Sequence, residues 1–197
     1  IEKEAFYPVG MPRMDGFLDP EVIDAFKDDF YTKYPELQEK KIILFAPTYR
    51  GAEQKYAYYD YSKLDFQRIY EFCQKEDAVF LIKMHPFVKT LPEIPELLQD
   101  RIWEFSRFPD INKLYYVTDL LITDYSSNYF EYALLQRPVV FYTYDREFYE
   151  LTRGVHRSIL ESAPGKVCDT FDQLMECLEQ KDFETEKIIR FAKDNFG

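Results

Sequence analysis

The sequence predicts an α/β fold, a parallel sheet with flanking helices on both faces. Short apolar runs alternate along the chain with stretches of helical periodicity. Those runs, such as residues 78–84 (AVFLIKM) and 120–123 (LLIT), are apolar at consecutive positions, as strands covered on both faces must be. A third observation gives the sheet a direction. The residues able to do chemistry collect where the apolar runs end, and in open parallel sheets ligands bind outside the carboxyl ends of the strands.

Taken in order, residues 10–16 (GMPRMDG) are punctuated by proline and glycine, so residues 1–18 are expected to be a connector and 19–197 the domain. Asp19-Pro20 places a capping carboxylate before a proline at the first helical position, opening a helix to about residue 34. Residues 41–48 (KIILFAPT) form the first expected strand. A tyrosine-rich loop follows over 49–62 and a helical pattern over 63–76. The strand at 78–84 is stopped by His85-Pro86, and 102–106 reads as a short strand. A helix over 110–117 leads to the strand 120–123, a helix over 127–136 to the strand 138–144. The segment 149–165 reads as a loop, and helical patterns over 171–180 and 184–195 close the chain.

At 197 residues, with 46% hydrophobic and 18% aromatic residues, the chain can build a core without disulfides or metals. No run approaches the roughly 20 apolar residues of a membrane span. The chain begins at Ile1, and Glu2-Lys3-Glu4 is unlike a secretory leader, so a piece of a longer protein is expected. Three cysteines without CxxC spacing fit reduced thiols and the cytoplasm. A net charge of −11 argues against a nucleic-acid-binding domain and against a surface that grips anionic lipid by itself. Membrane docking is therefore expected from a part of the protein outside this chain.

The strand ends supply the candidate site. Thr48, Arg50 and Gly51 close the first strand: arginine can grip phosphate bidentately and glycine lets the backbone turn, while a surface arginine beside a turn is the plainer reading. His85, with Lys83 at the same strand parity, can donate to a phosphate oxygen or offset charge on a leaving phosphate. A core or capping histidine is the alternative. Asp124-Tyr125-Ser126-Ser127 joins a strand to a helix, where unpaired N–H groups and two hydroxyls suit an anion. Serine is equally a good helix cap anywhere. Glu131, one turn beyond Ser127 on the same helix face, can accept from ribose hydroxyls or sit solvated. Asp124 is read as a structural cap rather than a metal ligand, since no Asp/Glu/His spacing builds a metal site. Walker, GxGxxG and GxSxG motifs are absent, which weighs against ATPase, dinucleotide and serine-hydrolase readings. Arg153, Gly154, His156 and Arg157 lie in a segment that either folds over the site or offsets nearby acids.

The ordered set GMPRMD, ILFAPTYRG, KMHP and LLITDYSSNYFEYALLQRPVVFYTYD, with Arg153-Gly154 and Ala163-Pro164-Gly165, resembles the CDP-glycerol glycerophosphotransferase family, the teichoic-acid primases and polymerases of Gram-positive bacteria. The resemblance spans about residues 10–167. It implies a GT-B architecture of two Rossmann-like domains, of which this chain is the carboxy-terminal, donor-holding one. It also implies transfer of glycerol phosphate or ribitol phosphate from CDP-glycerol or CDP-ribitol to a hydroxyl of a lipid-linked polymer, releasing CMP. By position, the resemblance puts His85 at the donor pyrophosphate, Ser126 and Ser127 on phosphate, Glu131 near the ribose, and Arg50 and Arg153 at basic family positions. The family's proposed base is a histidine of the amino-terminal domain. The chain is thus expected to bind CDP or its alditol ester without turning it over, in a protein sitting peripherally on the inner face of the plasma membrane. Two segments depart from the pattern, Arg153-Gly154-Val155-His156-Arg157 and Pro164-Gly165-Lys166. No cofactor is implied. A sugar-nucleotide GT-B glycosyltransferase and a non-catalytic nucleotide-binding module are the competing readings, separated by a UDP-sugar against CDP binding panel and by what the rest of the protein contains.

Overall fold

A computed structural model describes residues 12–152 and 158–196. Six strands form one parallel sheet: β1 (Lys41–Phe45), β2 (Ala78–Ile82), β3 (Ile102–Glu104), β4 (Leu120–Thr123), β5 (Val139–Tyr142) and β6 (Lys166–Cys168). Their order is β3-β2-β1-β4-β5-β6, so the chain reverses direction of travel between β1 and β4. This is the doubly wound Rossmann-like order, and the crevice at its switch point is where such sheets take ligands. Phe45 pairs with Ile82 on one side and Ile122 on the other, which levels the ends of β1, β2 and β4.

Strand side chains alternate between two cores. Ile43, Phe45, Phe80, Ile82 and Ile122 pack under α2 (Phe66–Glu76) and α7 (Phe171–Gln180). Ile42, Leu44, Val79, Leu81 and Leu121 pack under α1 (Pro20–Lys33), α3 (Ile111–Tyr115), α4 (Tyr129–Ala133) and α8 (Thr185–Phe196). The period of two along strands that are wholly buried is what doubly covered sheets require.

The helices begin where short polar side chains can satisfy open N–H groups. Asp19 accepts from Glu21 N at 3.0 Å, with Pro20 first in α1. Asp65 accepts from Arg68 N at 3.1 Å, so α2 starts at Phe66 rather than at residue 63. Asp110 and Thr170 cap α3 and α7. Phe17, at the end of the expected connector, is buried against Tyr115 and Tyr116.

Three further expectations change. The strands expected at 41–48, 78–84 and 138–144 end at Phe45, Ile82 and Tyr142, because the following residues turn toward side-chain partners described below. The segment expected to be a loop carries α5 (Arg146–Thr152) and α6 (Ile159–Ser162), and β6 follows it at the sheet edge. The helix expected from residue 127 begins at Tyr129 and has five residues.

Candidate functional site

The loops that leave β1, β4 and β5 meet on Arg50. Its Nε donates to Asp145 Oδ2 at 2.6 Å and its Nη2 to Asp145 Oδ1 at 2.9 Å, a bidentate pair. Its Nη1 donates to Asp124 Oδ2 at 2.7 Å and to the Thr48 carbonyl at 2.6 Å. The rings of Tyr59, Tyr125, Tyr144 and Tyr149 surround the guanidinium at 5.2–5.5 Å. Arg50 is only 5% exposed, and the bidentate fork expected to hold phosphate is turned onto Asp145 instead. The sequence placed arginine at the right strand end but could not show its partners, which lie 74 and 95 residues away.

Asp124, counted among the candidate substrate-binding residues, is fully buried and accepts from Thr48 N and Tyr125 N, each at 2.7 Å, so its carboxylate serves the structure. Thr48 therefore contributes its main-chain N–H to this network. Burial alone would lower the Arg50 pKa, but Asp124 and the Asp145 bond raise it above the ordinary arginine value and keep the group charged. Burial pushes the Asp124 carboxyl up, opposed by Arg50 and the Thr48 N–H. Gly51 follows with φ +110°, and a Cβ there would lie 2.3 Å from the Tyr56 carbonyl oxygen. The turn it permits closes the loop, stapled by Arg50 N donating to Tyr58 O at 2.7 Å and Tyr58 N to Arg50 O at 3.0 Å.

The Ser126-Ser127 junction is built differently from the expected helix cap. Asn128 holds the capping position but caps nothing; its amide donates to Ala46 O at 3.0 Å and its Oδ1 accepts from Thr123 Oγ1 at 3.0 Å. That clamp ties the end of β1 to the end of β4 and delays α4 by two residues. Ser126 Oγ accepts from Asn128 N at 3.3 Å, and Ser127 is exposed. Glu131 is 8% exposed, close enough to Tyr115 to raise its phenol pKa after burial has done so. The two ends of the expected Ser127–Glu131 face thus differ, one open and one enclosed.

Lys83 is buried, and its ammonium donates to Phe108 O at 2.6 Å and Ser106 O at 3.3 Å, so it fastens the loop after β3. Burial lowers its pKa, against Glu104 and Asp110. His85 lies among Tyr49 and Phe87, with ring centroids at 5.0 and 4.4 Å. Its Nδ1 accepts from Phe87 N at 3.2 Å, which assigns the remaining proton of the neutral ring to Nε2. Burial, then the Lys83 charge, pull its pKa below 6.5. Between that depressed value and 6.5 the unfolded chain binds more protons than the folded one, so this contribution to stability is complete above pH 6.5 and lost as pH falls through the folded value. The His85 Cε1–H resonance is expected to titrate with a midpoint below 6.5; a midpoint above it would contradict the neutral assignment.

The sequence reading missed Asp145, Asn128 and the stacked pair Tyr125–Tyr149, whose rings lie 3.8 Å apart at 13°. Asp145 directly follows the expected strand 138–144, the signal that pointed to it. Arg146, beside it, is taken up by Asp169 in a second bidentate pair at 3.0 and 2.9 Å. Arg153 lies outside the described residues. No cluster of three or more potential metal ligands occurs among the described residues.

Residues 1–196 match the family model described as CDP-Glycerol:Poly(glycerophosphate) glycerophosphotransferase. The chain is 39% identical over its whole length to the teichoic acid ribitol-phosphate polymerase TarL of Staphylococcus aureus, covering 35% of that protein. It is 41% identical, over 98% of its length and 31% of the other's, to the teichoic acid poly(ribitol-phosphate) polymerase of Bacillus spizizenii. The solved wall teichoic acid polymerase TagF superposes with a TM-score of 0.79 at 26% identity, covering 98% of this chain and 48% of that one. A variant of TagF has also been solved after soaking with CDPG. The chain thus spans about a third to a half of the length of these three relatives.

Proposed function

Because this chain belongs to the CDP-glycerol:poly(glycerophosphate) glycerophosphotransferase family, we propose that it is the donor-holding half of a GT-B polyol-phosphate transferase, one that binds a CDP-alditol at the switch point of its sheet. The observation that carries this reading is the flanking of the β1 end by His85 on one side and Ser126-Ser127 on the other. Two strand spacings, about 10 Å, separate those ends, a span that a nucleotide diphosphate crosses. Among the described residues both strand-end arginines, Arg50 and Arg146, are committed to aspartates, so the donors these residues offer the diphosphate are neutral: the serine hydroxyls and the Nε2–H of His85.

In the reaction an acceptor hydroxyl oxygen attacks the β-phosphorus, the phosphorus–oxygen bond to CMP breaks, and the acceptor proton passes to a base. Charge grows on the equatorial oxygens and on departing CMP, where fixed donors lower the barrier. A neutral His85 hydrogen-bonds to that charge without having to lose a proton at pH 7. The base, the lipid-linked acceptor site and the membrane-docking surface belong, in this proposal, to the part of the relatives outside this chain, with the protein acting at the inner face of the plasma membrane. No described helix is long and apolar enough to cross a membrane. Similarity to two ribitol-phosphate polymerases supports CDP-ribitol as the donor.

Titration calorimetry with CDP tests the reading. His85→Ala and Ser127→Ala are each expected to weaken binding by about 1–3 kcal/mol, the loss of a hydrogen bond to a charged group. Unchanged affinity in both variants would remove these residues from the site.

A further inference from the structure

We propose that the aromatic cleft beside Arg50 is a subsite for an uncharged polyhydroxy chain, the alditol of the donor, and that it rejects phosphate; the identification of the chain as an alditol rests on the donor reading above. The cleft encloses about 470 Å3, with Tyr58, Tyr144, Phe148 and Tyr149 among its walls and Arg50, Asp60 and Asp145 as its charged groups.

Electrostatics decide against an anion. Four of the five N–H groups of Arg50 are already used, on Asp145, Asp124 and the Thr48 carbonyl. Among the described residues, Arg50 and Lys63 face three carboxylates, Asp60, Asp124 and Asp145, with Lys63 Nζ at 4.0 Å from Asp60. Counting the described residues, a phosphate entering here would meet one more negative than positive charge, and Asp124 and Asp145, at 0% and 16% side-chain exposure, are little screened by solvent.

The same groups suit hydroxyls. Asp60 spends Oδ1 on Ser62 N and Ser62 Oγ, and its Oδ2 lies 4.0 Å from Lys63 Nζ. Asp145 accepts from Arg50 twice and from Tyr125 OH at 3.1 Å, leaving room for a further donor on its two oxygens. Ring faces complement the C–H edges of a polyol. Tyr58 and Phe148 remain 51% and 68% exposed at the rim, so their rings are accessible to a chain entering the cleft. Continuity with the diphosphate-holding turn comes through Tyr125, which immediately precedes Ser126, stacks on Tyr149 and bonds Asp145. A donor with its phosphates at Ser126-Ser127 directs its other end along this wall.

The test uses the 197-residue chain with four probes: CDP-ribitol, CDP, ribitol and inorganic phosphate. CDP-ribitol is expected to bind about five- to tenfold more tightly than CDP, the worth of one to two hydrogen bonds. Phe148→Ala, at an exposed ring, and Asp60→Asn, which keeps the side-chain shape, are each expected to remove most of that advantage while leaving CDP affinity unchanged. Free ribitol should shift the aromatic NMR signals of Tyr58 and Tyr144, and phosphate should not. Equal affinities for CDP and CDP-ribitol, variants that keep the full advantage, or phosphate shifting the same signals would each overturn the subsite. Failure of CDP itself to bind would overturn the donor reading instead, and the ribitol and phosphate arms would still decide the cleft.

Discussion

Arg50→Met is expected to destabilise the chain by about 3–5 kcal/mol, the cost of stripping one partner from a buried ion pair. For a domain of this size that corresponds to a fall in Tm of roughly 6–20 °C. Methionine fills much of the same volume, so the loss comes from charge. Asp124 is fully buried, and without Arg50 its neighbours Thr48 and Tyr125, both uncharged, are left to oppose the burial that already pushes its carboxyl up. The variant is therefore expected to bind a proton at Asp124 and to lose less stability at acidic pH than at pH 8. Urea unfolding at both pH values reads this out. A loss below about 1 kcal/mol, the range of a surface pair, would mean that the network is not formed. Adding Asp124→Asn to Arg50→Met should restore part of the stability, since the unpaired buried charge is gone.

Gly51→Ala is the second large effect. At φ +110° an L-residue pays roughly 1–3 kcal/mol in backbone strain, and its Cβ would stand 2.3 Å from the Tyr56 carbonyl oxygen, so the main chain itself must move. That movement opens the Arg50–Tyr58 bridge and displaces Tyr58 from the cleft wall. Loss of stability is expected together with faster hydrogen exchange at the Tyr58 amide. A variant within about 0.5 kcal/mol of the parent, the scale of an ordinary surface change, with a protected Tyr58 amide would show that the loop has another way to turn.

Local chemistry was readable from the sequence, and long-range pairing was not. Asp19-Pro20 announces α1 because capping and the fixed φ of proline act within one turn. The apolar runs announce β1, β2, β4 and β5 because burial on both faces leaves no polar period. β6 escapes, since Lys166–Cys168 is too short to show any periodicity. α5 escapes because its sequence, REFYELT, leaves Phe148 and Leu151 outward and so lacks a clean apolar face. At the site, the strand ends put His85, Asp124 and the serines at one edge of the sheet, on either side of β1. They could not reveal that Asn128 would spend its amide on Ala46 and Thr123 rather than on the helix behind it, nor that Arg50 would choose aspartates over solvent. Such choices depend on which residues the sheet brings together, and that is fixed only once the strand order is.

The sharing of one guanidinium by the loops after β1, β4 and β5 also constrains how this protein can change. A substitution at Asp145 has opposite consequences depending on whether Arg50 is present, so the two positions are epistatic and cannot drift independently. A chimaera that takes β1 from one relative and β4–β5 from another is expected to keep this network only when Arg50, Asp124 and Asp145 travel together. The unit that holds this edge of the sheet together is the charged triad, with Gly51 fixing the turn of the first loop that carries it.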